Sequence, residues 1–345
     1  MDRNPIRLAV IGLGMASKPH LEALKLLEQQ IEVSGVYNRS RGRAEDTAAQ
    51  HGWPVFDSVD AIAADSSTDG VIVLTPPHQR LDIVTTLAAA GKHILTEKPV
   101  ERSTDAARKI VEICEAANVH LGVVFQHRFR AGARRLSDLI KANQLGKISL
   151  VRADIPWWRD QAYYDVPGRG TYERDGGGVL ISQAIHVLDL LLSLTGPAET
   201  VQAFCATTQM HKMESEDFAS GGIRFCSGAV GSVVATTATF PGATESIVID
   251  GTEATAVLMG GNLKVVWRDG REEELGEVSG TGGGADPMAF PCDWHRDLIE
   301  DFAAAVRDQR PPVITGREAL RVHALIDAMV ASSNSGCISD VSQEG

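Results

Sequence analysis

The sequence predicts an α/β chain in two parts: a doubly wound parallel sheet at the N-terminus, then an α+β domain on a large, mostly antiparallel sheet. Three observations carry this. Short apolar runs alternate with helix-period segments as far as Phe125. Beyond it, strand-like runs follow one another through tight turns with few helices between. And 345 residues with 43% hydrophobic content exceed one ordinary domain and can bury two cores. The boundary is set at 126/127, giving domains 1–126 and 127–345.

In the first part, residues 7–11 (Arg-Leu-Ala-Val-Ile) read as a buried strand, followed at once by Gly12-Leu13-Gly14-Met15-Ala16-Ser17. A helical pattern with Leu21, Leu24 and Leu27 on one face comes next, with Pro19 near its start. Strand, glycine turn, helix is the setting of the dinucleotide fingerprint. Gly12 allows the tight turn, Gly14 lets backbone approach a pyrophosphate at the helix N-terminus, and small Ser17 stands for the third glycine. A second strand, 32–37, ends at Asn38-Arg39-Ser40-Arg41, where an NAD-binding chain would carry a carboxylate for the ribose 2′-hydroxyl. Neutral Asn38 beside Arg39, Ser40 and Arg41 favours NADP over NAD. Strands at 70–74, 93–96 and 121–125 alternate with helices at 81–90 and 104–118. Their C-terminal ends carry Thr75-Pro76-Pro77-His78, Glu97-Lys98-Pro99 and Gln126-His127-Arg128, at the edge where such sheets bind ligands.

In the second part, strand-like runs lie at 147–155, 200–207, 218–225, 229–239, 246–250, 254–259 and 263–267, with hairpin turns at Ser227-Gly228 and Gly260-Gly261-Asn262. Helices are expected at 293–307 and 317–332. Gly176-Gly177-Gly178 opens a further, apolar helix carrying Ser182, His186 and Asp189 at one-turn spacing, so that they share a face. Ahead of it lies an aromatic loop with Trp157, Trp158, Arg159, Tyr163, Tyr164, Arg169 and Tyr172, holding five of the nine Trp and Tyr residues. Aromatic faces stack on sugar C–H faces, and arginine donates to hydroxyls or a carboxylate. The Gly-rich run 279–286 reads as a flexible loop.

These residues together resemble the Gfo/Idh/MocA family, the glucose–fructose oxidoreductase and inositol dehydrogenase superfamily. The likeness spans nearly the whole chain and rests on the Gly12–Ser17 loop, Thr75-Pro76-Pro77-His78, Glu97-Lys98-Pro99, and the glycine triplet followed by His186 and Asp189. It implies an N-terminal Rossmann domain binding NAD or NADP and a C-terminal domain for substrate binding and oligomerisation. It implies hydride transfer at a hydroxyl or carbonyl of a sugar, polyol or related ring, with Lys98 and His186 as the catalytic pair. Cofactor contacts are then expected at Gly12, Gly14, Met15, Ala16, Asn38, Arg39, Ser40, Thr75, Pro76, His78, Glu97, Lys98 and Gln126. Substrate contacts are expected at Arg128, Trp157, Arg159, Tyr163, Tyr164, Arg169, Ser182 and Gln183. One departure stands out: inositol-dehydrogenase-like members carry an aspartate four residues before the histidine, and this chain has Ser182. A serine hydroxyl is no carboxylate base near neutral pH, so acid/base work falls to His186 or Lys98.

Bulk properties bound the alternatives. A net charge of −12 argues against a general nucleic-acid or anionic-membrane surface. Five scattered cysteines with no CxxC pair fit a reducing cytoplasm. The N-terminus runs directly into a strand without a signal-peptide core, and no apolar run reaches membrane-spanning length. His120, His127, His186 and His295 show no ligand spacing, so no metal is expected. The partners are a small-molecule substrate and further copies of the chain, as a homodimer or homotetramer. Two rivals remain open: a glycosidase using tightly held NAD for transient oxidation, and a cofactor-binding sensor, which should lack an intact Lys98/His186 pair.

Overall fold

Fully apolar runs such as Leu8–Ile11 and Val71–Val73 can satisfy their backbone only between other strands, and they form the centre of a parallel sheet. The computed structural model describes residues 5–276 and 291–344, which divide into two compact units. The Gly-rich run 279–286 lies outside the described residues.

Among the described residues the first unit comprises 5–101, 105–124 and 291–319. Its elements run β1 (Ile6–Ile11), α1 (Ser17–Leu26), β2 (Ile31–Tyr37), α2 (Arg41–His51), α3 (Val59–Ala64), β3 (Gly70–Val73), α4 (Arg80–Ala89), β4 (His93–Thr96), α5 (Thr104–Ala116) and β5 (Leu121–Val123). The strands lie in the order β2-β1-β3-β4-β5, all parallel. The order reverses between β1 and β3, and a ligand-binding crevice opens beyond the carboxyl ends of such a pair. The linear boundary at 126/127 is corrected here, because residues 291–319 return to this unit. Val123 N donates to Ile314 O (3.2 Å), closing the β5 edge, and Gln30 and Arg317 reach Glu300 and Glu115 across long sequence gaps.

The second unit begins with the 3-10 turn Gln126–Phe129, then α6 (Ala131–Lys141), β6 (Ile148–Pro156), α7 (Gln161–Tyr164), a π-helical turn Leu180–Ala184 and α8 (Ile185–Thr195). There follow β7 (Ala198–Ala206), β8 (Phe218–Phe225), β9 (Val230–Thr236), β10 (Ser246–Gly251), β11 (Ala254–Met259), β12 (Asn262–Trp267) and β13 (Glu272–Leu275). The chain ends with α9 (Asp293–Asp308), part of the first unit, α10 (Gly316–Ser335) and β14 (Ser339–Asp340). The nine strands run β13-β12-β11-β10-β6-β9-β8-β7-β14, antiparallel except for β6 with β9. Alternation decides the faces. Val151, Ala153, Ile155, Ile247 and Ile249 turn inward, while Leu150, Phe204, Val230, Val234 and Val266 stand exposed. The two expected hairpin turns are present, Gly228 taking φ +86° and Gly260 φ +56°. α6 was not anticipated, although Leu136 and Leu139 supply its buried stripe.

Candidate active site

In the first unit the site begins where β1 ends. Gly12 has φ +93°, and a Cβ there would lie 2.9 Å from Leu74 C and Thr75 N, so only glycine fits between the β1 and β3 ends. Gly14 has no heavy atom within 4 Å of its would-be Cβ, and Met15 and Ala16 are exposed, leaving open space over the N-terminus of α1. Ser17 fills the third glycine position by donating to Gly14 O (2.8 Å). Thr75 Oγ1 is buried with no hydrogen-bond partner among the described residues. The open glycine cradle and this orphan hydroxyl at the strand switch fit a dinucleotide, which needs close backbone approach and polar hydrogen-bond partners.

At the end of β2, Asn38 Oδ1 accepts from Leu13 N (3.0 Å) and Nδ2 donates to Ser40 O (3.2 Å), locking the glycine turn to the next loop. Arg39 and Ser40 are exposed. Arg41 departs from the expected role. It pairs with Glu45 (2.8 Å) and with Asp57, so its charge is met within the protein. His78 sits exposed on the 3-10 turn Pro77–Gln79, next to Pro76.

The Glu97-Lys98-Pro99 turn is held by residues that no local pattern marked. Arg80, fully buried, donates to Thr75 O (2.6 Å) and to the carbonyls of Glu97 and Pro99, tying the ends of β3 and β4 together. Burial lowers its pKa to about 10 against the pull of Glu97 and Glu101. Glu97 Oε1 meets His20 Nε2 (2.8 Å), and Oε2 accepts from Lys98 N (3.0 Å), so the carboxylate fixes the backbone that presents Lys98. Burial pushes Glu97 upward. The His20 hydrogen bond and the nearby positive groups outweigh it and hold the carboxyl at about 2. His295 packs edge-on against His20 at 4.8 Å. Burial and the His20 ring push its pKa down to about 3. His20, Glu97 and His295 together offer three ligand-type atoms within 4.8 Å, a constellation that the sequence spacing did not disclose.

In the second unit the glycine triplet has a packing reason. A Cβ on Gly178 would lie 1.8 Å from Glu216 O. Glu216 accepts from Gly178 N (3.2 Å) and Leu180 N (3.1 Å), which caps the start of the helix. Burial raises the Glu216 pKa, opposed by those backbone donors. The helix opens with a π turn rather than the α turn expected, so Ser182 and Gln183 sit on a widened turn before His186. His186 is 8% exposed and stacks on His127, with centroids 4.9 Å apart, while Phe125 stands edge-on at 6.1 Å. His127 Nε2 accepts from Arg130, because arginine only donates. Arg130 in turn donates to Glu245 Oε1 (2.7 Å), and Glu245 Oε2 accepts from Trp157 Nε1 (3.1 Å). A buried polar chain thus runs from the aromatic loop to the ring stacked on His186.

Three expected substrate residues are redirected by their partners. Arg128 forms a two-pronged ion pair with Asp189 (2.7 and 2.6 Å), which fixes the 126–129 turn to α8. Trp157 is buried and spent on Glu245. Tyr164 is buried, its hydroxyl 2.6 Å from Thr237 Oγ1, and burial pushes its pKa well above the usual phenol range. Tyr163 remains half-buried, with Gln183 Nε2 donating to its hydroxyl (3.2 Å) and the Arg159 and Arg169 guanidiniums over its ring at 5.5 and 4.0 Å. Gln183 Oε1 and Gln126 Oε1 are buried without hydrogen-bond partners among the described residues.

The "Rhizopine catabolism protein MocA" of Rhizobium meliloti is 29% identical over 194 residues, 56% of this chain and 58% of that protein. The chain thus matches little more than half the length of this and similar curated relatives. The "D-xylose 1-dehydrogenase (NADP(+)) 2" of Haloferax volcanii is 26% identical over 95% of this chain and 97% of its own. The WlbA dehydrogenase of Bordetella pertussis, solved with NADH and UDP-GlcNAcA, superimposes with a TM-score of 0.84 at 28% identity, covering 98% of this chain and 99% of that one. Residues 6–125 match the model described as "Oxidoreductase family, NAD-binding Rossmann fold" and residues 133–257 match the "GFO/IDH/MocA C-terminal domain", and the chain belongs to that family of oxidoreductases.

Proposed function

We propose that the chain is an NAD(P)-dependent dehydrogenase or reductase acting on a CH–OH or carbonyl group of a sugar, polyol or related ring. The observation that carries this is His186. It is a nearly buried imidazole stacked on His127, three residues after Gln183, whose Oε1 has no hydrogen-bond partner among the described residues and whose Nε2 donates to the half-open Tyr163. Gly12, Gly14, Met15, Ala16, Asn38, Arg39, Ser40, Thr75, Pro76, His78, Glu97, Lys98 and Gln126 would hold the dinucleotide. When bound, its nicotinamide supplies the hydride donor or acceptor. His186 takes the hydroxyl proton in oxidation and returns it in reduction, as a positioned general acid–base group does. Lys98, set in place by Glu97 and Arg80, stabilises the negative charge developing on the substrate oxygen. Ser182 and Gln183 orient hydroxyls. NADP is the preferred form, because Asn38 puts no charge opposite a 2′-phosphate and Arg39 has no ion-pair partner among the described residues.

The five cysteines form no disulfide, which supports a cytoplasmic setting. No helix among the described residues is long and apolar enough to cross a membrane. The exposed sheet face carrying Phe204, Val230 and Val234 supports assembly as a homodimer or homotetramer, which light scattering on a sizing column measures. The function is tested by nicotinamide absorbance with NAD and NADP against aldoses, inositols, sugar acids and their keto forms. His186→Ala is expected to lower turnover by roughly two to four orders of magnitude. A variant within a few-fold of wild type, with cofactor binding intact, would remove His186 from proton transfer.

A further inference from the structure

Within residues 157–172 two guanidiniums, Arg159 and Arg169, meet at one aromatic ring, where nothing in the redox chemistry above demands them. The Arg169 guanidinium lies 4.0 Å from the Tyr163 ring centroid and donates to Tyr163 O (3.2 Å). Among the described residues it forms no ion pair. Arg159 lies 5.5 Å from the same ring and 5.7 Å from the Trp157 ring, and it donates to Trp158 O (2.6 Å). Two guanidiniums therefore share one aromatic ring. Burial lowers the pKa of Arg159, Tyr163 opposes that shift, and the charge on Arg169 adds to it, so the two cations repel one another. Holding like charges together at a half-buried position costs free energy unless an anion joins them.

The ring they share leads to the candidate site. The Tyr163 hydroxyl accepts from Gln183 Nε2, and Gln183 lies three residues before His186. Gln183 is 4% exposed, and its Oε1 has no hydrogen-bond partner among the described residues. A buried acceptor left open calls for a donor from a ligand. An oxyanion and a neighbouring hydroxyl on one small molecule would satisfy both features: the oxyanion at the Arg169 fork, the hydroxyl at Gln183 Oε1. The remaining arginines near α8 do not compete for it, since Arg128 is held by Asp189 and Arg130 by Glu245.

We propose that Arg169, backed by Arg159 across Tyr163, forms an oxyanion subsite, and that the sugar or polyol taken by this enzyme carries a carboxylate or phosphate group. This rests on reading the residues around His186 as the substrate site. The arginines set which molecule is held, whereas His186 sets what happens to it.

The experiment is calorimetric titration of the full chain with D-glucuronate, D-galacturonate, D-gluconate and D-glucose 6-phosphate, beside neutral D-glucose and D-galactose. Wild type, Arg169→Gln and Arg169→Lys are compared. At least one anion is expected to bind wild type tenfold or more tightly than its neutral counterpart. That ratio should fall at least tenfold in Arg169→Gln and recover in part in Arg169→Lys. Preference for the sugar acids identifies a carboxylate, and preference for the sugar phosphate a phosphate. The proposal is overturned if no anion binds wild type, if neutral sugars bind as well, or if Arg169→Gln leaves the ratio unchanged. Nicotinamide absorbance in the same samples separates the two claims. Arg169-dependent anion binding without turnover upholds the subsite and counts against the dehydrogenase. Turnover of neutral sugars with no anion preference does the reverse.

Discussion

His295 gives the sharpest handle on the cluster behind Lys98. Its ring is 2% exposed, beside His20, and its pKa is pushed down to about 3 by burial and then by that ring, against the opposing pull of Glu97. In the unfolded chain it returns to about 6.5. A base whose folded pKa is depressed contributes stability fully above the unfolded value and loses it as pH falls from about 6.5 toward about 3, because the unfolded state binds the extra proton. Between pH 7.5 and pH 5.0 the linkage relation gives a loss of about 2 kcal/mol from this one residue. Glu97 contributes little in that window. Its folded value near 2 makes its own loss begin only below about 4.5. The assay is hydrogen exchange of the β1 and β3 amides, which belong to the same unit as His295, in wild type and His295→Gln. Corrected for intrinsic rates, wild-type protection should fall about 30-fold more than the variant's on acidification, the equivalent of about 2 kcal/mol. Equal losses in the two proteins would show that His295 is not held neutral by its surroundings, and the buried cluster as described would be wrong.

Three further outcomes follow from the first unit. Arg80→Met removes a buried donor to the carbonyls of Thr75, Glu97 and Pro99. Leaving those acceptors unsatisfied should cost about 3–6 kcal/mol, read by urea denaturation, and a loss under about 1 kcal/mol would refute the clamp. Gly12→Ala forces a Cβ against Leu74 and Thr75 backbone at φ +93°. It should weaken NADP and NAD binding alike by at least tenfold in calorimetry, and unaltered affinity would detach this turn from the cofactor. Asn38→Asp keeps the acceptor for Leu13 N but places a negative charge at the end of β2. The NADP-to-NAD ratio of kcat/KM should fall by tenfold or more, and an unchanged ratio would show that this loop does not read the 2′-position.

What the sequence disclosed was local in chain. The Gly12–Gly14 turn, the strand ends at Thr75 and Glu97, and the His186 helix each announce themselves within about a dozen residues, because strand and helix periods and turn chemistry are short-range. What it concealed was pairing over distance. His20 meets Glu97 across 77 positions, and Arg130 meets Glu245 across 115. Nothing in either segment names its partner. The return of α9 to the first unit is hidden for the same reason. Its apolar stripe says that it packs, not on what. The aromatic loop shows the limit most plainly. Tyr163 and Tyr164 are adjacent and chemically identical, yet Tyr164 is buried against Thr237 while Tyr163 stands half-open under two arginines.

The same contrast decides which arginines can serve a ligand. Arg41, Arg128 and Arg130 were equally visible in the sequence, and each meets a carboxylate of the protein: Glu45 and Asp57, Asp189, and Glu245. A guanidinium in a two-pronged carboxylate pair has its planar fork filled, and freeing it would leave a charge behind. Arg169 meets the face of Tyr163 instead. Cation–π attraction of about 0.5–2 kcal/mol orients the guanidinium and leaves the donors not spent on Tyr163 O open to an oxyanion. Residue type therefore carries less functional information here than the identity of the partner. It follows that substrate choice and bond chemistry can be altered separately in the second unit. A change at Arg169 should rescale the ranking of ligands with the proton-transfer pH profile unmoved, whereas a change at His186 should abolish that profile for every ligand that still binds.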